Sequence, residues 1–374
     1  MKFTVSSSQL LKALSTIHGV IGNNPVVPIL ENFLFQVQDG VLVATGSDMQ
    51  TVMTTEMEVS STDSGSIAVP AKLLLDTLRS LPDQPVQFQV NEDTFGIELS
   101  TSNGRFKLSG ENPLDFPRVQ TVNKSHSIEI PADVLATAIS NTLFAAGTDD
   151  HRPAMTGVYV QLSSEHTTFV ATDGHRLIRY RRSDVTSKDA TSLIMPRKAL
   201  NLLKSSLPAD DEPVKIEFSS SNAFFSFGTI KMVCRLIDER FPDYENVIPQ
   251  NNPNSMVIDR ATFLSTLKRI SIYSNKTTHQ IRLKISEKEL VISAEDLDYS
   301  NEASEKLTCE YKGDDLEIGF NAKLLIEMLG NLTCSTVTME LSQPNRAGLI
   351  WPTEPEEQEN ILMLVMPVML NTYA

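Results

Sequence analysis

Asp173 and His175 are the residues of this chain whose types and spacing come nearest to catalytic chemistry. A carboxylate and an imidazole two residues apart lie on one face of a strand, where they could activate a serine or cysteine nucleophile in a hydrolase. Gly174 between them favours a turn instead, and Thr45-Gly46-Ser47-Asp48 occupies the parallel place earlier in the chain. No G-x-S-x-G, H-E-x-x-H, Walker or Rossmann motif accompanies the pair. We predict an architectural turn and keep the Asp173/His175 hydrolase as an alternative.

Metal binding is no better supported by the sequence. The six histidines are scattered, and Cys234, Cys309 and Cys334 are widely spaced without a C-x-x-C pair. Neither a disulfide framework nor a thiolate zinc site is expected from such a set, and free cysteine usually packs as a small core hydrophobe. We therefore expect no metal, no cofactor and no catalytic residue, so the chain is predicted not to be an enzyme.

The elements around these residues recur along the chain. Three segments open with an apolar residue, a polar stretch and a helical apolar pattern; they begin at Val5, Ile130 and Ile258, at intervals of 125 and 128 residues. A second helix signal recurs in each unit, and it begins at Val69, Met195 and Gly319. Alternating strand-like runs bounded by glycine turns fill much of the remainder.

This periodicity predicts an α+β fold made of three tandem copies of one domain. Each copy has two helices packed on antiparallel sheets, and one large α+β domain is the alternative. The predicted domains are residues 1–123, 124–253 and 254–374. The predicted helices are Ser8–Gly19, Pro70–Leu81, Pro131–Leu143, Pro196–Leu207, Arg260–Ser271 and Asn321–Leu332.

Positive charge is concentrated on these helices. The chain has a formal net charge of −15, yet the six predicted helices hold ten bases against three acids. Their apolar residues fall at helical spacing, so the bases lie on an exposed face. An acidic exterior with a basic helical lining would repel DNA from outside and tolerate duplex DNA along the lining, through sequence-independent backbone contacts. For any single helix, bases that merely solvate an exposed face are the alternative.

Five stretches carry a family resemblance along the whole chain and in order. They are Pro28–Asn32, Ala171–Leu177, Phe241–Val247, Leu316–Asn321 and Met366–Val368. Together they resemble the bacterial DNA polymerase III beta subunits, the sliding clamp family. The resemblance implies a chain that dimerises head to tail into a closed ring lined by helices. Such a ring would hold duplex DNA topologically, so phosphate contacts can stay weak.

The resemblance also implies residue roles on the DNA side and at a partner pocket. The bases predicted to face DNA are Lys12, Lys72, Arg79, Arg152, Arg197, Lys198, Lys204, Lys268 and Arg269. The pocket would accept short motifs of the replicative DNA polymerase, the clamp loader, repair polymerases and other clamp-motif proteins. It would comprise Met155, Thr172, Gly174, His175, Arg176, Leu177, Pro242, Val247, Met366, Pro367 and Val368. Its apolar members suit a site that meets many partners, although an ordinary core is the alternative for Met155, Leu177 and Val247.

For ring closure, the resemblance places Phe106 against Ile272 and Tyr273 of the second subunit. Charge agrees with this pairing, because bases flank Phe106 whereas acids follow Tyr273 in the third domain. A heterologous contact that closes after two copies gives a ring. The predicted interface residues are Arg105, Phe106, Lys107, Ile272, Tyr273 and Glu302.

The chain departs from the family pattern in three places. Met369 stands where the family often has arginine, and Pro153 with Ala154 stands where some members have aromatics. Asn23-Asn24 occupies a loop that is basic in some members. These departures bear on the pocket edge and on individual DNA contacts more than on the ring.

Composition and the N-terminus bound the protein class. The N-terminus has no apolar signal segment, and no stretch approaches 18 uninterrupted apolar residues. We therefore expect a cytoplasmic protein without a membrane partner. A repeat-built scaffold with no DNA role would keep the repeats and the pocket without requiring basic helices, and it stays as the second alternative.

Overall fold

The computed structural model describes residues 1–22, 26–61, 63–117 and 126–370. Asn23, Asn24, the predicted boundary at Asn123 and the tail Asn371–Ala374 lie outside the described residues. The chain folds into two compact units. The first unit is Met1–Ala136 with Lys198–Leu236, and the second is Thr137–Arg197 with Ile237–Ala374.

The described residues form helices at all six predicted places. They are α1 (Ser7–His18), α2 (Ala71–Ser80), α3 (Ala132–Thr142), α4 (Arg197–Ser206), α5 (Arg260–Ser271) and α6 (Ala322–Gly330). Each prediction is confirmed to within two residues at either end. Pro70 and Pro196 were expected to open helices, but each is the last residue of the preceding strand. Proline fits there because its fixed φ, −56° at Pro70, also suits the position just before a helix.

The first unit contains two antiparallel sheets, with strands numbered along the chain. One sheet has the order β1 (Lys2–Ser6), β6 (Pro85–Val90), β7 (Gly96–Ser100), β8 (Arg105–Ser109). The other has the order β5 (Gly65–Pro70), β2 (Asn32–Gln38), β3 (Val41–Ser47), β4 (Thr51–Glu58), β16 (Ile230–Arg235), β15 (Asn222–Phe227), β14 (Pro213–Phe218), β9 (His126–Pro131).

The second unit also contains two antiparallel sheets. The larger has the order β13 (Thr191–Pro196), β10 (Gly157–Leu162), β11 (Thr167–Thr172), β12 (Arg176–Arg182), β25 (Glu359–Val365), β24 (Gly348–Pro352), β23 (Thr336–Leu341), β17 (Asn254–Asp259), β21 (Glu310–Lys312). The smaller has the order β20 (Asn301–Thr308), β19 (Glu289–Asp296), β18 (Gln280–Ser286), β22 (Leu316–Asn321).

Two strand pairs join sequence repeats that were predicted as separate domains. In the first unit β4 pairs with β16, in a register that runs from Thr51 opposite Cys234 to Thr55 opposite Ile230. In the second unit β12 pairs with β25, with Leu177 opposite Leu364. The compact units therefore do not follow the repeats, because each large sheet takes strands from two of them.

Local sequence explains how the helices begin and pack. Ser6 accepts a hydrogen bond from the backbone N–H of Gln9 before α1, and Asp259 does the same for Thr262 before α5. The buried residues of α1 fall at helical spacing and pack on α2, and α5 packs on α6 in the same way. The predicted pairing of two helices with antiparallel sheets is thus confirmed.

The three cysteines lie at least partly inside the fold. Cys234 and Cys309 are buried, as predicted, whereas Cys334 is half-buried. Burial raises the pKa of the Cys234 thiol to about 12. Within the described ranges, no three His, Cys, Asp or Glu side chains come together as a metal site. In the same part of the chain, no helix has the length and apolarity needed to cross a membrane.

Candidate functional site

The turn between β11 and β12 uses the carboxylate that catalysis would need. Asp173 Oδ1 accepts the backbone N–H groups of His175 and Arg176 at 2.9 and 3.0 Å. Gly174 has a φ of +90°, in the left-handed region that favours glycine. The Thr172 hydroxyl donates to the Arg176 carbonyl at 2.6 Å across the same turn. The predicted architectural turn is confirmed, and its geometry gives the hydrolase alternative no support.

Arg176 fastens this turn to two other segments. Its Nε donates to Asp173 Oδ2 at 3.1 Å, and its Nη1 lies 2.7 Å from Glu327 Oε2 on α6. Its Nη2 donates to the Phe144 carbonyl at 2.8 Å, and the guanidinium lies over the Phe144 ring. The side chain is 8% exposed. Arg176 therefore holds the pocket together and offers little surface to a ligand.

An apolar floor adjoins the turn. Leu177 is buried in one cluster with Phe241, Tyr244, Ile248 and Leu364. Leu177 and Leu364 are opposite one another in the β12–β25 ladder, so both side chains lie on one face of the sheet. Half-buried Ala154 and Trp351 pack against the same cluster. Sequence reasoning missed Leu364 and Trp351 because nothing local shows that β25 pairs with β12.

Exposed apolar side chains lie around this floor. Val247 is 57% and Met366 is 41% exposed. The Met366 N–H donates to the His175 carbonyl at 2.8 Å, which attaches the C-terminal segment to the turn. Pro242 and Val247 are carried by the segment whose Phe241 packs into the floor. Exposed apolar surface beside a packed floor is typical of a binding site.

The loop before β10 completes one side of the pocket. The Gly147 N–H donates to the Met155 carbonyl at 2.8 Å, and a Cβ on Gly147 would lie 3.7 Å from the Asp173 Cα. Met155, one of the predicted pocket residues, therefore lies near the turn. The Arg152 Nη1 lies 3.0 Å from where a Cβ on Gly174 would be. Arg152, predicted among the DNA-facing bases, is thus at the pocket edge.

The predicted pocket residues nearest the C-terminus, Met366 to Val368, contact two different elements. The Val368 N–H donates to the Gly319 carbonyl at 2.9 Å, forming a bridge to β22. Pro367 links this bridge to Met366. Met369 beyond it is 74% exposed. The structure thus brings Met366 to the turn and ties Val368 to a different strand.

A basic cluster next to the floor was also missed. Arg179 and Arg181 follow Leu177 on the same face of β12, and both bind the carboxylate of Glu245, at 3.3 and 2.7 Å. Burial lowers the pKa of Arg179, and the neighbouring charge of Arg181 lowers it further. The alternation of Leu177, Arg179 and Arg181 is the sequence signal that could have indicated this cluster.

The basic side chains on the helices of the first unit fall into two groups, those without and those with an ion pair in the described residues. Lys12, Lys72 and Lys204 are exposed and make no ion pair within the described residues. Arg79 pairs with Asp76 on its own helix at 3.0 Å. Lys198 pairs with Asp48, in the turn between β3 and β4. The lysines without an ion pair are the ones with charge available for a phosphate.

The second unit shows the same division. Lys268 on α5 is exposed and has no ion pair in the described part of the chain. Arg269 beside it makes a bidentate pair with Glu305, at 2.8 and 2.6 Å, and this pair lowers the pKa of Glu305. Arg197 Nη1 donates to the Ala146 carbonyl at 2.9 Å. Arg269 and Arg197, both predicted to face DNA, therefore already have partners within the chain.

The predicted interface residues lie on sheet edges and at a helix end. Phe106 is half-buried on β8, where Arg105 pairs with Glu98 and Lys107 is exposed. Ile272 and Tyr273, which follow α5, are 77% and 44% exposed. Glu302 is exposed on β20, which ends its sheet as β8 ends its own. Leu297 and Tyr299, 69% and 66% exposed, lie in the turn before β20 and were missed.

Comparison with protein families identifies all three repeats. Models of the DNA polymerase III beta subunit match the chain in order: the N-terminal domain over residues 1–120, the central domain over 129–243 and the C-terminal domain over 245–369.

Curated relatives match over nearly the whole length. The beta sliding clamp of Haemophilus influenzae is 30% identical over 364 residues, which covers 97% of this chain and 99% of the relative. That of Escherichia coli K12 is 31% identical over 371 residues, which covers 99% and 100%.

Solved structures agree with these matches. The DnaN sliding clamp of Pseudomonas aeruginosa bound to griselimycin has a TM-score of 0.93 at 31% identity, covering 99% of this chain and 100% of that one. The sliding clamp of Bacillus subtilis has a TM-score of 0.94 at 23% identity, with 99% of each chain covered, and it shows the likeness of fold.

Proposed function

The chain belongs to the DNA polymerase III beta subunit family, and from this membership we propose that it is a DNA sliding clamp. Two copies close head to tail into a ring around duplex DNA. The ring tethers the replicative DNA polymerase and other DNA-processing proteins as a non-catalytic accessory subunit in the cytoplasm. The repeats correspond to domains at residues 1–123, 124–253 and 254–374.

One observation carries the DNA role. Exposed lysines without ion pairs in the described residues lie on helices in both units, at Lys12, Lys204 and Lys268, although the whole chain has a net charge of −15. A protein this acidic is poorly suited to hold phosphate by affinity alone. A ring needs no such affinity, because a closed ring cannot leave the DNA that it encircles. Lysines that contact phosphates only weakly would allow the ring to slide along the duplex.

The pocket supports the tethering role. A packed apolar floor under Leu177, with Val247 and Met366 exposed beside it, suits short peptides that present apolar side chains. Methionine adapts to side chains of different shapes, which suits a site shared by several partners. We assign this pocket to motifs of the polymerase, the clamp loader, repair polymerases and other clamp-motif proteins, with Arg152 and His175 at its edge.

We assign ring closure to half-buried Phe106 in the first repeat and to exposed Ile272 and Tyr273 in the third. Phe106 of one subunit packs against Ile272 and Tyr273 of the second copy. A few such buried anchors usually supply most of an interface's affinity. Arg105 and Lys107 beside Phe106 would face acids such as Glu302 on β20.

The decisive experiment separates topological from electrostatic binding. The protein is loaded onto a nicked circular plasmid with a clamp loader and ATP, and gel filtration in high salt then measures retention before and after the plasmid is linearised. A clamp stays on circles and leaves linear DNA, because salt screens phosphate contacts but does not open a ring.

The matched control is the double variant Phe106→Ala, Ile272→Ala, which we expect to sediment as a monomer and to be lost from circles. Equal retention on circular and linear DNA would contradict the clamp. A wild-type protein that binds partner peptides but no form of DNA would favour the scaffold alternative.

A further inference from the structure

The basic cluster beside the proposed partner pocket contains two arginines that share one carboxylate. Arg179 and Arg181 follow Leu177 on the same face of β12, because side chains alternate along a strand. Arg179 Nη1 and Arg181 Nη2 lie 3.3 and 2.7 Å from the two carboxylate oxygens of Glu245. Both guanidinium groups are protonated at neutral pH, so Glu245 balances only one of the two positive charges.

Arg179 is the less well paired of the two arginines. Its Nη2 donates to Asn360 Oδ1 at 3.3 Å, whereas its Nε is buried and, within the described residues, has no acceptor. A buried donor without an acceptor costs free energy. Burial and the neighbouring charge of Arg181 lower the pKa of Arg179. A second carboxylate close to the two arginines would therefore stabilise their charged forms.

An open trough with a volume of about 650 Å³ adjoins the cluster. Its lining is mostly polar and includes Arg181, Glu245, Gln161 and Thr168. Gln161 is opposite Thr168 in the β10–β11 ladder, and Thr168 is opposite Arg181 in the β11–β12 ladder, so the three side chains form one row across the sheet. Glu165, the other acid among the described lining residues, is exposed in the loop between β10 and β11. The trough thus offers hydrogen-bonding groups beside the unbalanced positive charge.

The trough is continuous with the proposed partner pocket. Tyr244 belongs to both, since it packs in the pocket floor and also lines the trough. Val247, three residues further along the chain, is exposed at the pocket. Leu177 and Arg181 are separated by about 13 Å along β12, at the usual rise of a strand. An extended peptide covers that distance in about four residues, so a peptide with an apolar side chain over Leu177 reaches Arg181 just outside its apolar motif.

We propose that Arg179 and Arg181 form a specificity site for partners whose apolar clamp motif is flanked by an acidic residue. The inference rests on the proposed pocket and deepens it by naming the chemistry of the adjoining peptide segment. The peptide carboxylate enters the trough and accepts hydrogen bonds from Arg181, whose planar guanidinium suits such a contact. Glu245, which is 47% exposed, binds the same groups in the free protein and competes with the peptide.

Arg181 and Glu245 should therefore affect peptide binding in opposite directions. Loss of Arg181 removes the group that binds the acid, whereas loss of the Glu245 charge removes a competitor. A cluster that only stabilised the fold would respond alike to both changes, because each breaks the same ion pair. The two side chains are 30% and 47% exposed, so substitutions of similar size at these positions should leave the fold unaffected.

Peptides with matched flanks test the proposal on the full chain. All contain the apolar clamp motif of the polymerase, with a short flank of either Glu or Gln placed before the motif in one pair and after it in the other. Fluorescence anisotropy at low and high salt measures each Kd. For one of the two placements, wild type should bind the Glu-flanked peptide about 10-fold more tightly than its Gln counterpart at low salt. High salt should reduce this preference, because it screens the charges.

Variants of the cluster then assign the preference to these residues. Arg181→Gln should reduce it to about 2-fold or less, and Glu245→Gln should increase it about 3-fold, while the Gln-flanked peptides bind all variants alike. Arg282→Gln is the matched control, because it also removes a partly exposed strand arginine from a pair with a glutamate, Glu317. It should bind every peptide as wild type does.

The outcomes separate this site from the pocket itself. Equal binding of Glu- and Gln-flanked peptides by wild type, or an unchanged preference in Arg181→Gln, would overturn the acidic-peptide site and leave the pocket standing. Weaker binding of the Glu-flanked peptide by Glu245→Gln would also overturn it, since Glu245 would then support binding and not compete. Failure of wild type to bind any of the peptides would overturn the proposed pocket and this site together.

Discussion

The proposed partner pocket and the basic helix faces hold their side chains in opposite ways. At the pocket, Arg176 has partners on three segments and Leu177 is 2% exposed within a packed cluster. On the helices, Lys12 and Lys204 are exposed and have no ion pair in the part of the chain that the structure describes. Peptide binding is stronger when the pocket side chains are already fixed, because their conformational entropy is lost during folding and not on binding. A surface that must pass DNA of any sequence gains from charge without fixed geometry.

The largest effect is expected at the pocket rim. Val247→Asp with Met366→Asp places two carboxylates where an apolar peptide side chain would pack, and should weaken peptide binding about 100-fold or more. Fluorescence anisotropy with a labelled clamp-motif peptide from the polymerase measures this loss. Both positions are exposed, so the fold should be unaffected.

Leu114→Asp is the matched control for that variant, since Leu114 is an apolar residue of the first unit with 84% exposure. It should bind the peptide like wild type. Undiminished binding by the Val247→Asp, Met366→Asp variant would mean that the peptide binds elsewhere, and the proposed pocket would be wrong.

The next effect concerns the fastening of the pocket. Arg176→Ala leaves Asp173 without its side-chain partner and separates α6 from the turn, so the free energy of unfolding should fall by about 2 kcal/mol. Urea denaturation followed by circular dichroism measures the change. Arg152→Ala removes an exposed ion pair only and should cost less than about 1 kcal/mol. An equal fall in the free energy of unfolding for the two variants would show that Arg176 stabilises the fold no more than an exposed arginine does.

A smaller effect is expected from the turn itself. Gly174→Ala forces a side chain into a backbone conformation with a φ of +90° and brings a Cβ within 3.0 Å of Arg152. The free energy of unfolding should fall by about 1 to 2 kcal/mol. Thermal denaturation checks this, with Gly330→Ala as control, because a Cβ there meets nothing within 4 Å. A stable Gly174→Ala protein would mean that the turn tolerates rearrangement.

The smallest effect sharpens the account of the helices. Lys204→Gln removes a charge that has no ion pair in the described residues. If one phosphate contact is lost, the plot of log K for DNA binding against log salt concentration should become less steep by about 0.9. Lys198→Gln should change the slope less, because Asp48 already neutralises that lysine. Filter binding of nonspecific duplex DNA over a salt series measures both. Identical slopes for the two variants would contradict the distinction between paired and available lysines.

Much of the local structure was predictable. The six helices follow from apolar spacing and polar caps, and the turn at Gly174 follows from the residue types that tolerate such backbone conformations. These features depend on residues close together in the sequence. The same logic identified three similar repeats, because the spacing of one pattern requires no knowledge of which strands pair.

The partnerships between distant residues were not predictable. The pairing of β12 with β25 joins residues more than 170 positions apart, so the place of Leu364 in the pocket floor was missed. For the same reason Arg269 was assigned to DNA, although Glu305 on another element holds it. A sequence shows that a base lies on an exposed helix face, but its partner depends on tertiary packing.

The ladders between β4 and β16 and between β12 and β25 make the folding unit larger than the repeat. A fragment cut between the first two repeats would carry β4 without β16 and expose a row of unpaired backbone groups. Such an edge pairs readily with other chains, so a lone repeat produced by itself would be prone to aggregate. A library of truncations should therefore yield well-behaved protein only when both partners of each ladder are retained.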